Sequence, residues 1–190
     1  MEVVGPSDDN KVTIEIFTRA QNYQLPETRA GANENDIEKT PYLLVFEVNG
    51  GSNKCIEIVQ AVEHTGTVKR YVQLTKRETG TYQFLILANN EVPFYYGGSG
   101  PYTWSVDNLE TYLVQQELSD ISNKLLTGKI GTSDHLNPPY VNDWQPLLPM
   151  SCLTGTVNGI NVNTKIGTTG DPLELIRGVS VITFYNNPEM

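Results

Sequence analysis

The sequence predicts an all-β sandwich. Short apolar or alternating segments recur along the chain, and most of them are closed by glycine or asparagine. Glycine (16 residues), proline (11) and tyrosine (10) are frequent, whereas methionine occurs only 3 times. This composition favours turns and strands over helix bundles. Short strands separated by turn signals are typical of a sandwich or a barrel, and 190 residues suffice for one large domain with a real core.

The first half of the predicted domain follows a polar tail at residues 1–10, which we expect to be disordered or to adjoin a leader. Residues 11–17 alternate, with Val12, Ile14 and Ile16 on one face, which indicates a half-buried strand. Residues 19–41 show no periodicity and predict a long exposed connection, which points to function or mobility. Further strands are predicted at residues 43–48, 55–63, 68–74 and 82–88, with turns at 49–52, 65–66 and 78–80.

The second half contains a predicted insert at about residues 90–148, which begins with an aromatic, glycine-tipped loop at 94–101. Asp107 is the expected N-cap of a helix, with Glu110 as its reciprocal partner. A helix of about four turns, ending near Gly128, is predicted because five apolar residues fall near one helical face: Leu109, Leu113, Leu118, Ile121 and Leu125. Closing strands are predicted at 156–162 and 173–184, so that residues 11–190 form one domain.

Net charge and hydropathy argue against nucleic acid as a partner and against a membrane-spanning segment. The net charge of −9 and the pI near 4.7 argue against nucleic acid, which requires a basic surface. No apolar run reaches the roughly 18 residues of a membrane span. The start of the chain lacks the basic and apolar regions of a signal peptide. Two interpretations stay open: the protein is cytoplasmic, or a leader was removed before residue 1.

The residues that usually carry catalysis or bind metal occur here without a matching pattern. His64 and His135 have no nucleophile motif nearby, and no CxxC or HExxH spacing exists. The acidic segments at 8–10 and 33–36 lack the ligand spacing of an EF-hand loop. Residues 97–100 are not followed by the Lys-Ser/Thr of a phosphate loop. We therefore expect no catalytic residues, no metal, no cofactor and no enzymatic activity.

Cys55 and Cys152 are too few for a disulfide scaffold. Two buried thiols are the preferred interpretation, and a single bridge is the alternative.

Aromatic residues around the glycine-rich loop allow two interpretations. Tyr95, Tyr96, Tyr102 and Trp104 could stack on a sugar ring, which would make the protein a carbohydrate-binding module. Aromatic side chains also plug the end of a sandwich, and this second interpretation is preferred.

Several segments, taken in order, resemble the N-terminal domain of Bacteroidales fimbrillins, the subunits of protease-assembled (type V) pili. They are Thr-Arg-Ala at 28–30, Glu-Asn at 34–35 with Ile-Glu at 37–38, Leu-Leu-Val-Phe at 43–46, Leu-Ile-Leu-Ala-Asn at 85–89, Leu-Pro-Met-Ser at 148–151 and Leu-Ile-Arg-Gly-Val-Ser-Val at 175–181. The resemblance covers about residues 12–187.

The resemblance implies a transthyretin-like Greek-key sandwich of about seven strands, with the insert between late strands. It also implies a structural or accessory subunit of a cell-surface fimbria that supports adhesion. Such a subunit would be exported as a lipoprotein to the outer membrane and meet the membrane only through the lipid anchor of its precursor. Its expected partners are other pilus subunits, an Arg-specific protease and a host or bacterial surface ligand.

The resemblance further implies assembly by strand exchange. The protease would cut between Arg29 and Ala30, with Arg19 as a second candidate and an ordinary loop arginine at 29 as the alternative. The removable strand would be residues 11–18, whose Val12, Ile14 and Ile16 fill pockets of the core. An edge strand that leaves a sandwich exposes unpaired backbone and apolar pockets, and an incoming strand satisfies both.

Two departures from the family accompany the resemblance. Shaft and anchor subunits carry a second, C-terminal sandwich, which is absent from this chain. The leader and lipidation cysteine are absent too. The chain is therefore expected to be either a fragment or a subunit that cannot donate a strand from its C-terminus.

Overall fold

The computed structural model of the protein describes residues 10–20, 40–63, 69–90, 93–127, 149–168 and 170–177. Its strands are β1 (Lys11–Ala20), β2 (Tyr42–Asn49), β3 (Ser52–Gln60), β4 (Val62–Glu63), β5 (Lys69–Thr75), β6 (Arg77–Ala88), β7 (Phe94–Tyr96), β8 (Ser99–Tyr102), β9 (Leu125–Thr127), β10 (Met150–Leu153), β11 (Val157–Ile160) and β12 (Leu173–Arg177). Two helices are described, α1 (Val106–Leu113) and α2 (Leu118–Lys124). Neither is long and apolar enough to cross a membrane.

The strands form two sheets, which confirms the predicted all-β sandwich. The larger sheet runs in the order β3-β2-β6-β10-β12-β1-β5-β4, with β11 also paired to β6. Seven strands remain in this path when the 2-residue β4 is set aside. A smaller sheet of order β8-β7-β9 belongs to the predicted insert. Most neighbouring strands of the larger sheet are not consecutive in the chain.

The first strand lies inside the larger sheet, so its predicted edge position is wrong. Residues 11–17 pair antiparallel with β5, and residues 18–20 pair parallel with β12. Alternation of apolar and polar residues indicates which face of a strand is buried. It does not indicate whether one or both backbone edges of the strand pair with other strands. β1 therefore connects the strands of one layer to those of the other.

The main core lies between the two layers of the sandwich. From β1 it takes Val12, Ile14 and Ile16, and from β5 it takes Val72 and Leu74. The facing layer contributes side chains of β2 and β6 that share this apolar interior: Leu43, Val45, Tyr82, Phe84 and Ile86.

β2 is buried on both faces, which explains its almost continuous apolar sequence. Leu43 and Val45 point into the main core, whereas Leu44 and Phe46 belong to a second cluster. That cluster is closed by residues of the insert: Phe94, Leu109, Leu113 and Ile121. The prediction of a central strand here is confirmed, because a strand covered on both sides loses the polar half of its alternation.

The described part of the insert contains two short helices where the sequence predicted one of about four turns. Ser105 is the N-cap of α1 and its hydroxyl accepts from the Asn108 N–H at 3.2 Å, so the expected cap at Asp107 is wrong by two positions. The helical conformation is interrupted between α1 and α2, where Gln115 has a φ of 70°. The cause is a backbone contact with β3: the Gln115 N–H donates to the Cys55 carbonyl at 2.7 Å. Helical periodicity depends on residues that are close in the sequence, so it cannot predict a break caused by a contact with a distant strand.

One predicted turn and the predicted aromatic loop also differ from the structure. The turn expected at 78–80 lies within β6, where Gly80 has a φ of 100° and the Tyr82 hydroxyl donates to the Thr79 carbonyl at 2.8 Å. The strand continues there because β11 pairs with it from Arg77 to Tyr82, whereas the pairing with β2 ends at Thr81. The aromatic loop is a hairpin of β7 and β8, turning at Gly97 and Gly98 with φ values of 58° and 83°.

Both cysteines are free thiols, so the disulfide alternative is excluded. Cys55 is buried in β3, and Cys152 is half-buried in β10. Burial raises the pKa of Cys55 to about 12 and also raises the pKa of Cys152.

Candidate functional site

One face of β1 is sealed into the main core. Val12, Ile14 and Ile16 are 5%, 2% and 0% exposed, and Thr13 and Glu15 between them are exposed. The predicted pocket-filling residues are thus all on the buried side. Their neighbours on β5 follow the same alternation: Leu74 lies opposite Val12, and Val72 lies opposite Ile14. The two strands share one continuous apolar surface.

The C-terminal half of β1 also has close backbone neighbours in the closing part of the fold. The Phe17 N–H donates to the Ile166 carbonyl at 2.9 Å. Gly167 has a φ of 72°, and a Cβ built on it would lie 2.6 Å from the Phe17 carbonyl oxygen. A side chain at this position would collide with the strand, so glycine is required for the chain to approach β1 this closely.

Both ends of β1 are tied by polar contacts. At its start, the Lys76 N–H donates to the Asn10 carbonyl at 2.7 Å, and the Lys11 ammonium lies 3.5 Å from a Glu57 carboxylate oxygen. Near its end, Arg19 forms an ion pair with Glu174 of β12. The Arg19 and Glu174 side chains are 54% and 43% exposed, so this pair adds little stability.

The most buried polar contact of β1 involves Thr18 and Arg70. Thr18 is 1% exposed and Arg70 is 4% exposed. The Arg70 Nη1 donates to the Thr18 hydroxyl at 3.2 Å. Sequence reasoning missed both residues. The signal for Thr18 was present, because it continues the every-second-residue register of Val12, Ile14 and Ile16 onto the buried face.

Only one of the two predicted cleavage sites lies within the described residues. Arg29 and Ala30 lie outside the described residues, so cleavage there stays a prediction. Arg19, the second candidate, lies within β1 and pairs with β12. A protease needs an extended, accessible segment, and a residue held in a sheet ladder does not offer one.

The predicted stacking residues lie in the insert, over the face of β2 that points away from the main core. Tyr95 is half-buried, while Tyr96, Tyr102 and Trp104 pack against the second cluster. The Trp104 ring lies 4.9 Å from that of Phe94, and Tyr102 stacks on Tyr112 at 4.2 Å. These ring faces contact one another, as the end-plug interpretation expects. Sugar binding stays a prediction.

Tyr112 was not singled out by the sequence, although it lies on α1 one residue before Leu113. A hydrogen bond with Tyr102 is the main cause that raises the pKa of Tyr112. Burial raises the pKa of Tyr96 and of Tyr42 in the same region. Among the described residues, no three His, Cys, Asp or Glu side chains are placed to hold a metal ion.

Comparison with known proteins gives one distant structural similarity. No protein-family model matches the chain, and no curated protein matches it. Among solved structures, the chain is similar to the tip fimbrial protein Mfa3 from Porphyromonas gingivalis with C-terminal truncation, at 19% identity and a TM-score of 0.39. The alignment covers 86% of this chain and 44% of that one, so the chain spans less than half of that protein's length. A similarity at this level carries no argument about function.

Proposed function

We propose that the protein is a structural or accessory subunit of a cell-surface fimbria, that it assembles by protease-triggered strand exchange and that it supports adhesion. The observation that carries the proposal is the position of β1. It is the first strand among the described residues, its apolar face completes the main core, and it pairs with β5 along one stretch and with β12 along another. One continuous segment near the N-terminus thus supplies both the buried side chains and the backbone partners of this site.

Removal of β1 would leave a site with a strong tendency to be refilled. Burying three side chains of the size of Val12, Ile14 and Ile16 is worth roughly 5–9 kcal/mol, as an upper estimate. The vacated backbone groups of β5 would add unpaired donors and acceptors. An extended segment from another subunit satisfies both needs by β-strand addition.

The remaining parts of the proposal rest on the sequence resemblance. An Arg-specific protease cuts between Arg29 and Ala30 and separates β1 from the body of the domain. The precursor is exported as a lipoprotein and displayed at the outer membrane as part of the fimbrium. Its partners are other pilus subunits and a host or bacterial surface ligand. The role is structural and non-enzymatic.

The test is exchange of β1 after cleavage. The full chain is treated briefly with an Arg-specific protease, and the product is identified by intact mass. It is then incubated with a labelled peptide of residues 10–20, and incorporation is followed by native mass spectrometry and size-exclusion chromatography.

We expect cleavage after Arg29, uptake of the peptide by the cut protein and none by uncut protein. The Arg29→Lys variant is the matched control, because it keeps the charge and removes the protease site. Cleavage after Arg29 with no uptake, even on long incubation, would contradict the proposal.

A further inference from the structure

The buried face of β1 lies beside an ordered series of three residues on β5. Leu74 and Val72 lie opposite Val12 and Ile14, and Arg70 lies opposite Ile16. All three β5 residues are buried, at 0%, 1% and 4% exposure. The series therefore presents two apolar positions followed by one cation, at the place where β1 turns from β5 towards β12.

The cation imposes a chemical demand on the strand beside it. A guanidinium has five N–H donors, no acceptor, and stays charged. Burying a charge is costly unless hydrogen-bond acceptors compensate it. The Thr18 hydroxyl is one such acceptor, because it accepts a hydrogen bond from the Arg70 Nη1 at 3.2 Å. Arg70 has a further interaction besides this bond, so the loss of Thr18 would remove one hydrogen bond and leave the rest.

We propose that Arg70 selects the strand that occupies the β1 site by requiring a small hydroxyl residue at the position of Thr18. The partner is then an extended segment with apolar residues at three alternate positions and serine or threonine at the fourth. The outward positions, represented by Thr13 and Glu15, are exposed and carry no such requirement. This inference rests on the proposed strand exchange and adds the sequence rule that the incoming strand obeys.

The size of the selection follows from the type of bond. A hydrogen bond to a charged group corresponds to roughly a 10- to 100-fold change in an equilibrium constant. A Thr18→Val strand keeps the shape of the side chain and loses the acceptor, so it should bind weaker by that factor. A Thr18→Ser strand keeps the acceptor and should bind within a few-fold of the natural one.

The experiment compares peptides of residues 10–20 on one cleaved protein. A recognition sequence for a site-specific protease is inserted between Arg29 and Ala30 of the full chain, so that other arginines are spared. After cleavage, labelled peptides compete with the retained β1 fragment, and their apparent affinities are measured by fluorescence anisotropy. The peptides are the natural sequence, Thr18→Val, Thr18→Ser and the matched control Thr13→Val, which makes the same change on the exposed face.

We expect the natural, Thr18→Ser and Thr13→Val peptides to bind alike and the Thr18→Val peptide to bind roughly 10- to 100-fold weaker. In a cleaved protein that carries Arg70→Met, the difference in affinity between the natural and Thr18→Val peptides should disappear or reverse. If the Arg70→Met variant does not fold, the affinities of the four peptides for the cleaved protein with Arg70 still test the proposal. Equal binding of the natural and Thr18→Val peptides would overturn this inference alone. Failure of every peptide, including the natural one, would overturn the proposed exchange and this inference with it.

Discussion

The carboxylate of Glu117 accepts a hydrogen bond from the Ser52 hydroxyl at 2.6 Å, and its second oxygen accepts from the Asn53 N–H at 2.9 Å. This contact fixes the segment between α1 and α2 to the start of β3. Beside it, the backbone of residues 115–116 pairs with Cys55 in both directions, at 2.7 and 2.9 Å. β3 is the first strand of the larger sheet, so the insert covers an edge that would otherwise be open to another chain.

We expect Glu117→Gln to lower stability at neutral pH and to have a smaller effect in acid. The Ser52 and Asn53 hydrogen bonds hold the pKa of Glu117 below its usual range. A depressed carboxyl pKa stabilises the fold above the unfolded value, near pH 4.3, and this stability is lost as the pH falls through the folded value. Urea midpoints between pH 7 and 3 test this, with the exposed Glu47→Gln as control. A difference that does not shrink as the pH falls from 7 to 3 would contradict the assignment.

The left-handed backbone at Gln115 should make glycine stabilising there. A side chain at a φ of 70° costs about 1 kcal/mol relative to glycine. Gln115→Gly should therefore raise the free energy of unfolding by up to about 1 kcal/mol, whereas Thr111→Gly within α1 should lower it by about the same amount. Urea unfolding measures both. Destabilisation by both variants would argue against the break between the helices.

The two thiols should react in a fixed order with a thiol reagent at pH 8. Cys152 is half-buried, and Cys55 is buried with its pKa raised to about 12. We expect Cys152 to react first and Cys55 only when the protein unfolds. In Cys152→Ser, the remaining thiol should stay protected in the native state. Intact mass of the untreated protein should show no disulfide, and the loss of a pair of hydrogen atoms on oxidative purification would indicate a bridge.

Ile16→Ala should destabilise the full chain by about 2–5 kcal/mol, because Ile16 is fully buried in the main core. The matched change on the other face, Thr13→Ala, should cost less than about 1 kcal/mol. Chemical unfolding of both variants provides the comparison. Similar effects of the two would mean that the face of β1 has been misassigned.

Trp104 should report whether the aromatic cluster is a structural plug or a binding surface. In a Trp144→Phe background it is the remaining tryptophan, and its ring lies against Phe94. We expect blue-shifted emission that is unchanged by a panel of glycans. A glycan-dependent change abolished by Tyr95→Ala, with the fold retained, would support the carbohydrate-binding alternative.

The sequence was informative where burial follows a local period. Alternation in residues 11–17 placed Val12, Ile14 and Ile16 on one face, and the continuous apolar run of β2 indicated a strand covered on both sides. It failed where a distant backbone decided the outcome. The break at Gln115 depends on Cys55, and the continuation of β6 through Gly80 depends on β11.

The buried polar pair was missed for a different reason. Arg70 continues the every-second-residue register of Val72 and Leu74 onto the buried face, as Thr18 does on β1, but its charge predicts an exposed side chain. That Arg70 lies beside Thr18 depends on the register between β1 and β5, which a single sequence does not specify.

The pairing of β1 with β12 has a consequence for how the chain folds. Arg19 and Glu174, which meet in this pair, are 155 residues apart in the sequence. Contacts of such separation form late, because the entropy of closing a long loop must be overcome first. During synthesis from the N-terminus, Arg19 emerges 155 residues before Glu174. We therefore expect β1 to pair with β5, which is nearer in the sequence, before it pairs with β12.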